Sequence, residues 1–494
     1  MAQYKTPGVY VEEIVKLPPT VTEVETAFPV FIGYTEKAER DGASLLQVPT
    51  RISSLVEYES YFGGPPAQAV TLWLDEQNQL TDTRVDHVFY LYDSLRLYFF
   101  NGGGPCMIVS VGGYSSAISA AALAQGLSSI EKVSEPTIIV MPEAVATEKY
   151  GAPLYMAALA QCAEVHNRIV ICDLGYHSTD TDFSEVVDTF RNEIGNENLK
   201  YGAVYGPWLI STLPREIRFA NLALKRTTDG TDIRPESLTS DASILELIAQ
   251  IRLAETSGNS VEIEATAVNT QIGHKSLQQL YNELYSQFEL FRTWVTQSTA
   301  ALNTIPPGGV MAGIYARVDA NRGVWKAPAN MSINEVVEPV FAIIDDLQDT
   351  LNVHATGKSI NAIRRFSGKG TLVWGARTLA GNDNEWRYIS VRRYFNFIEA
   401  SVKQAIQAFI FEPNDANTWV KIKAMIESFL TLQWRAGALQ GAKPEHAFYV
   451  AIGLNKTMTA LDILEGRMLL EIGLASVRPA EFIILKFSQK MAQN

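Results

Sequence analysis

Apolar and polar positions change rhythm several times along this 494-residue chain. Between residues 106 and 210, short apolar runs alternate with longer segments of helical period. Residues 106–111, 137–141, 168–172 and 201–210 predict strands, and residues 115–130, 155–165 and 183–194 predict helices. Strands separated by helices of that length imply a parallel or mixed sheet with right-handed crossovers. Residues 28–34 predict one more strand, ending at Gly33. After residue 214 the alternation stops. Turn clusters at 227–230 and 257–260 precede Leu277, Leu280, Leu284, Phe288, Phe291 and Val295, whose three- and four-residue spacing predicts one long amphipathic helix. Near the C-terminus, Tyr394, Ile398, Val402, Ile406 and Phe409 form one helical stripe. Trp419, Ile422, Ile426, Phe429 and Gln433 form a second, with Arg435 in the last turn and Gly437 as its cap. Strands are predicted at 371–377, 448–452, 467–475 and 481–487. The fold class that follows is multidomain, α/β in the middle and α+β near the C-terminus.

Turn chemistry marks the joints. Residues 1–20 look like an extended arm: Pro7-Gly8 predicts a turn, residues 9–14 are β-prone, and Pro18-Pro19 is expected to stop the run. An arm this short cannot fold alone and must pair with something. Residues 63–83, opening on Gly63-Gly64-Pro65-Pro66, look like an inserted loop with little core, and 214–304 like a second insertion. The run 305–330, IPPGGVMAGIYARVDANRGVWKAPAN, begins with a forced turn at Pro306-Pro307-Gly308-Gly309. Residues 310–318 fit either a buried strand or the start of a close-packed helix, and Arg322-Gly323 turns the chain again.

Composition narrows the class without assigning a chemistry. Hydrophobic residues at 47% and charged residues at 19% describe a folded chain rather than a disordered one. No apolar run approaches the ~18 residues of a membrane span, and MAQYKTPGVYVEEI lacks the pattern of a secretory signal. Cys106, Cys162 and Cys172 form no CxxC pair, which points to a reducing compartment. The net charge of -13 is uneven: residues 304–494 carry 21 Lys and Arg against 17 Asp and Glu, leaving a balance of -17 on residues 1–303. No dense basic patch suggests nucleic acid. Gly112-Gly113 lies between a strand and a helix but lacks GxGxxG or Walker spacing, so a tight turn accounts for it. Asp173 follows a strand, where α/β enzymes place catalytic groups, yet a lone carboxylate is accounted for by capping. The six histidines form no HExxH or metal-type cluster, and Asp345, Asp346 and Asp349 fit a solvated helix face. No serine sits in GxSxG, and Cys106 and Cys172 are expected to be buried structural thiols.

Larger blocks carry a resemblance. The run 305–330, the strand WGARTL, the helix start EWRYISVRR, the turn FEPND, the helix end RAGALQG and the tail RPAEFIILKFSQ each look like their counterparts in contractile tail sheath proteins. TPGVYVEEI resembles the N-terminal arm of that family, and FPVFIGYTEKA its first core strand. The likeness is strong over 305–494, clear over the first 40 residues, and loose between. It implies a subunit that stacks as six-membered rings around an inner tube and contracts to drive the tube through a target envelope. It implies no catalytic residue, no cofactor and no metal. Implied partners are copies of the chain, the inner tube protein, and baseplate and terminator or cap proteins, without nucleic acid or membrane insertion. Implied assembly is in the bacterial cytoplasm, as part of a phage tail or a released tail-like particle. On this basis residues 1–22 and 479–494 are linking arms, 23–345 an outer α/β domain with insertions near 63–100 and 214–304, and 346–478 an inner α+β domain facing the tube. By analogy Val9, Tyr10, Val11 and Ile14, and Phe482, Ile483, Ile484, Leu485 and Phe487, are strands exchanged between subunits, and Lys443 and Lys456 are basic candidates for the tube. Two other readings stand beside it: an α/β hydrolase or nucleotide-binding enzyme, which needs a complete motif at a strand end, and a static tube or capsid component, which would show one lattice form.

Overall fold

The computed structural model describes residues 20–66, 69–85, 89–256, 260–263 and 273–482. Two compact units emerge: Glu25–Arg393, and a smaller one joining residues 20–24 to 394–482.

The larger unit is built on one nine-stranded sheet. Its strands are β1 (Pro29–Thr35), β2 (Thr50–Ile52), β3 (Cys106–Gly113), β4 (Ile138–Val140), β5 (Ile169–Asp173), β6 (Gly202–Gly206), β7 (Met331–Ser332), β8 (Asn361–Phe366) and β9 (Gly370–Val373). They lie in the order β7-β9-β8-β6-β5-β4-β1-β3-β2. The six central strands are parallel, and antiparallel pairing appears only at the margins, where β2 meets β3 and β9 meets β8 and β7. Every residue of β1, β4, β5 and β6 is buried. That is the consequence of covering both faces, and it explains why these strands read as continuous apolar runs. Val30, Ile32, Val109 and Val170 point into one layer with Leu123, Tyr155 and Phe190. Phe31, Ile108, Val140 and Ile171 point into the other with Leu95, Val310 and Ile314.

The run 305–330 proves to be a helix, α2 (Gly308–Arg322), with no strand in it beyond the short β-pair at Thr304–Ile305. Its sequence permits a backbone-to-backbone crossing with α1 (Leu91–Phe100). A Cβ on Gly309 would lie 2.4 Å from the Ser94 carbonyl oxygen, and one on Gly313 2.5 Å from that of Tyr98. Only glycine allows that approach. The helix is also tied to the start of α3 (Ile389–Ile406): Arg393 Nη1 donates to Asp319 Oδ1 at 3.0 Å and Nη2 to Oδ2 at 2.5 Å, with both side chains almost wholly buried.

Residues 63–83, expected to hold little core, supply a central strand instead. Val70–Leu74 pairs in parallel with Leu222–Arg226 and antiparallel with Leu80–Val85. Val70, Leu72 and Leu74 are buried in one cluster with Leu247, Ile248 and Ile251, and with Leu284 and Trp294. The segments around 70–85 and 217–302, remote in sequence, thus share one core. The predicted long helix is two, Leu277–Gln287 and Glu289–Leu302, because Phe288 leaves helical geometry (φ -111°, ψ 102°) and packs edge-on against Trp294.

Other boundaries shift for local reasons. Pro207 cannot extend the ladder, so 201–210 splits into β6 and Leu209–Ser211 in a separate three-stranded sheet. β9 stops at Val373 and not Arg377, because the Asn361 side chain takes over: its Oδ1 accepts from the Arg377 N–H at 2.7 Å and its Nδ2 donates to the Arg377 carbonyl at 2.8 Å.

In the smaller unit, α3 from Tyr394 onward packs beside α4 (Ala416–Arg435) through Phe397 and Phe429, 6.0 Å between ring centres. The chain start joins them: the Val24 N–H donates to Ser401 Oγ at 3.3 Å, and Gln433 Nε2 to Glu23 Oε1 at 2.7 Å. β10 (Phe448–Ile452) and β11 (Leu470–Leu474) form an antiparallel pair against α4. The predicted strand 467–475 begins three residues late because Arg467 turns back to bind Asp462.

Candidate inter-subunit surfaces

Among the described residues, the smaller unit presents sheet-edge backbone and exposed apolar side chains. α4 starts at Asp415, whose Oδ1 accepts from the Thr418 N–H at 3.0 Å, and ends before Gly437 at φ +88°. This is the helix end that the sequence predicts. Ile422, Met425, Ile426, Phe429 and Leu430 face inward, and Val450 and Ile452 of β10 are buried beside them. On the opposite face of the strand pair the Tyr449 ring lies over Gly473, where a Cβ would meet it at 2.1 Å. Tyr449 Oη donates to Glu471, which raises the phenol's pKa. Among the described residues neither β10 nor β11 has a second strand partner along its length. A two-stranded pair is marginal alone, and its outer N–H and C=O groups are a template for added strands.

Of the nine residues expected to be exchanged strands, only Phe482 lies within the described residues, and it is 72% exposed. Val9, Tyr10, Val11, Ile14, Ile483, Ile484, Leu485 and Phe487 lie outside them. Lys443 and Lys456 are both exposed; Lys443 immediately precedes the short helix Pro444–Ala447, and Lys456 sits in the turn after β10. Both lie in the smaller unit. The basic surplus is concentrated elsewhere. Residues 304–393 carry 11 Lys and Arg against 8 Asp and Glu, whereas 394–494 carry 10 against 9. Lys358, Arg377, Arg392 and Arg393 within the former are buried.

One surface feature escaped the sequence reading. Where α3 ends, Ile410 is 60% exposed and Phe411 wholly so, with Phe411 in the left-handed region at φ +70°. The only sequence signal is an apolar pair running directly into the EPND turn.

The chemical candidates have structural occupations. Asp173 Oδ1 accepts from the Gly308 N–H at 2.7 Å, fixing the start of α2, and burial pushes its carboxyl up to about 7. Glu143, which the sequence reading passed over, does the same for α1: its Oε1 accepts from the Tyr90 and Leu91 N–H groups at 2.9 and 2.8 Å, and burial pushes it up to about 8. His177 is held neutral by burial, which lowers it to about 4. Its Nε2 accepts from the Trp208 N–H at 3.1 Å, while Nδ1 pairs with the Gly175 carbonyl at 2.7 Å. Burial raises all three cysteines, Cys162 to about 12, the reverse of an activated thiolate. Gly112 lies under the Tyr34 ring, where a Cβ would be 2.8 Å away, and serves packing. Asp345 pairs with Arg364 at 2.8 Å. Among the described residues no three His, Cys, Asp or Glu side chains gather in a metal-binding group, and no helix is long and apolar enough to cross a membrane.

Comparison with known proteins places these features. Residues 381–490 match the family described as the phage tail sheath C-terminal domain. The tail sheath protein of Vibrio phage KVP40 is 28% identical over 127 residues, and that of Burkholderia phage BcepMu 28% over 151 residues. These matches cover 26% and 30% of this chain and only 19% and 31% of the two relatives. Over the full length, the fold is similar to the sheath of an extracellular contractile injection system, PVC, in its contracted state. The TM-score is 0.59 at 28% identity, covering 99% of both chains. It is similar likewise to the contracted helical sheath of the anti-feeding prophage, with a TM-score of 0.61 at 29% identity, covering 99% of this chain and 100% of that one.

Proposed function

We propose, because this chain belongs to the contractile tail sheath proteins, that it polymerises with copies of itself around an inner tube. The polymer forms stacked six-membered rings and shortens to drive the tube through a target envelope. The observation that carries this reading is the full-length similarity to sheaths solved in the contracted state. The strand pair β10–β11 supports it independently, since its edges suit strands donated by neighbours. In this reading residues 9–14 and 482–487 are those strands. Burying five apolar residues of the tail contributes roughly 7 to 15 kcal/mol gross. Ordering the segment costs ~1 to 2 kcal/mol per residue, so each link is weak and the lattice holds through their number.

Shortening needs two packings of one subunit that differ in free energy. Rigid units joined by exchanged strands permit this, with apolar burial in the short state as the driving force. No nucleotide enters the cycle. The strand-end carboxylates that an enzyme would use are occupied in holding helix termini. Baseplate and terminator proteins bound the polymer, and the particle is a phage tail or a tail-like injection device. Electron microscopy of the purified full chain with its tube tests the proposal: long and short forms of one lattice are expected. A single rigid lattice form, or no polymer, would sink it.

A further inference from the structure

The apolar pair at the end of α3 is displayed rather than merely uncovered. Phe411 is bulky, fully exposed and left-handed at φ +70°, a conformation that such side chains seldom adopt without compensation. Both flanks are braced. The Ile410 N–H donates to the Gln407 carbonyl at 3.2 Å and the Glu412 N–H to that of Phe409 at 3.1 Å. Asn414 Nδ2 donates to the Arg467 carbonyl at 3.0 Å, and Asn414 Oδ1 accepts from Trp419 Nε1 at 2.8 Å. The result is a rigid apolar projection with an exposed acid, Glu412, at its rim.

A surface of opposite character lies on the same unit. Lys421, Ala424, Ser428, Leu432 and Arg435 follow one another at three- and four-residue intervals, and all are exposed on the outer face of α4, with Val420 beside them. Val420 and Leu432 are large apolar side chains facing solvent at 67% and 57%. The small Ala424 and Ser428 lie between them, and cations stand at both ends.

We propose that the Ile410–Phe411 projection of one copy seats on the outer face of α4 of a second copy, between Val420 and Leu432, with Glu412 against Lys421 or Arg435. The inference rests on the polymer reading above and adds to it a side-chain contact distinct from strand exchange. The projection and its receiving face are different patches, so the contact is heterologous. Repeated, it propagates a ring or a helix and does not stop at a dimer. Charge complementarity at the rim sets the register and disfavours stacking of like patches.

The test uses the full chain carrying Phe411→Cys and Ala424→Cys together. All native cysteines are buried, so the new pair reports alone. Mild oxidation of assembled particles is expected to yield a ladder of linked multimers on a non-reducing gel, at least tenfold stronger than from either single variant. As a second arm, Ile410→Ser with Phe411→Ser is expected to keep the circular dichroism of the folded subunit and to cut the sedimenting polymer at least fivefold. Glu412→Lys is expected to weaken assembly, and Lys421→Glu or Arg435→Glu to restore it. Normal polymer without the ladder overturns this contact while leaving the polymer reading intact. So does a ladder from Phe411→Cys alone, or a serine variant that polymerises normally and loses only tube capture. Absence of polymer from the unaltered chain overturns both.

Discussion

At the scale of single residues, the side chains that resemble catalytic groups are the ones that hold helices in place. Glu143, in the helical turn that follows β4, and Asp173, at the end of the neighbouring parallel strand β5, each accept N–H bonds from the start of a helix, with no cation paired to either among the described residues. Burial raises both carboxyls, from an ordinary 4.5 to about 8 and from 3.8 to about 7. A raised folded pKa means that the native state binds protons the unfolded chain has released. The stabilisation is complete below about pH 4 and disappears as pH rises through 7 to 8. The melting temperature of the unassembled chain is therefore expected to fall between pH 5 and pH 9. Glu143→Gln keeps the acceptor for Tyr90 and Leu91 and removes one ionisation, so it should flatten that slope; a variant with the wild-type slope would refute the assignment. The Arg393–Asp319 ion pair lies in a nearly solvent-free site. Removing one partner strands the other, at ~3 to 5 kcal/mol. Asp319→Ala and Arg393→Ala should each lose about that much in urea unfolding, and the double variant should lose less than the sum.

At the scale of elements, the crossing of α1 and α2 governs how the second face of the sheet is closed. The backbones touch at Gly309 and Gly313, so even one added methyl has no free volume to enter. Gly313→Ala is expected to cost ~1 to 3 kcal/mol through overpacking, and Gly313→Val more, measured as a drop in the midpoint of thermal unfolding. A neutral Gly313→Val would show that the helices can separate at no cost. Gly437→Ala, at a helix end with open space around its Cβ but φ +88°, should lose ~1 kcal/mol through backbone strain alone. The two glycine types separate steric from conformational need. Neither helix is marked by periodicity in the sequence, and periodicity registers only which residues turn inward. It does not register that two axes approach closely enough to exclude a side chain.

At the scale of the whole molecule, the strand pair β10–β11, which has no second strand partner among the described residues, carries the functional expectation. If residues 1–18 and 480–494 are donated to neighbours, deleting either stretch leaves a soluble subunit with unchanged circular dichroism that fails to polymerise. If the tail completes its own sheet, its deletion gives insoluble or unfolded protein. Analytical ultracentrifugation and electron microscopy of the two truncations distinguish these outcomes, and normal contractile polymers from either one end the strand-donation proposal. The charge asymmetry carries less weight in three dimensions than along the chain. Its basic surplus falls largely in residues 304–393, where four of the cations are buried in the core.

The alternating strands and helices of 106–210 were legible because a strand covered on both faces must be apolar throughout, and because crossover helices announce themselves by period. The α4 stripe and its glycine end were legible for the same local reason. The blocks from 305 onward were legible by resemblance, although their helical form was not: small residues and glycines serve a buried strand and a close-packed helix equally well. Only the tertiary structure joined residues 70–85 to 217–302, since a shared core between segments so remote in sequence leaves no periodic trace in either. Only it could assign Asp173 and Glu143 to helix termini, because a carboxylate's role depends on which N–H groups arrive beside it. The exposure of Phe411 was likewise decided in three dimensions, since an apolar residue in a sequence does not say whether anything covers it.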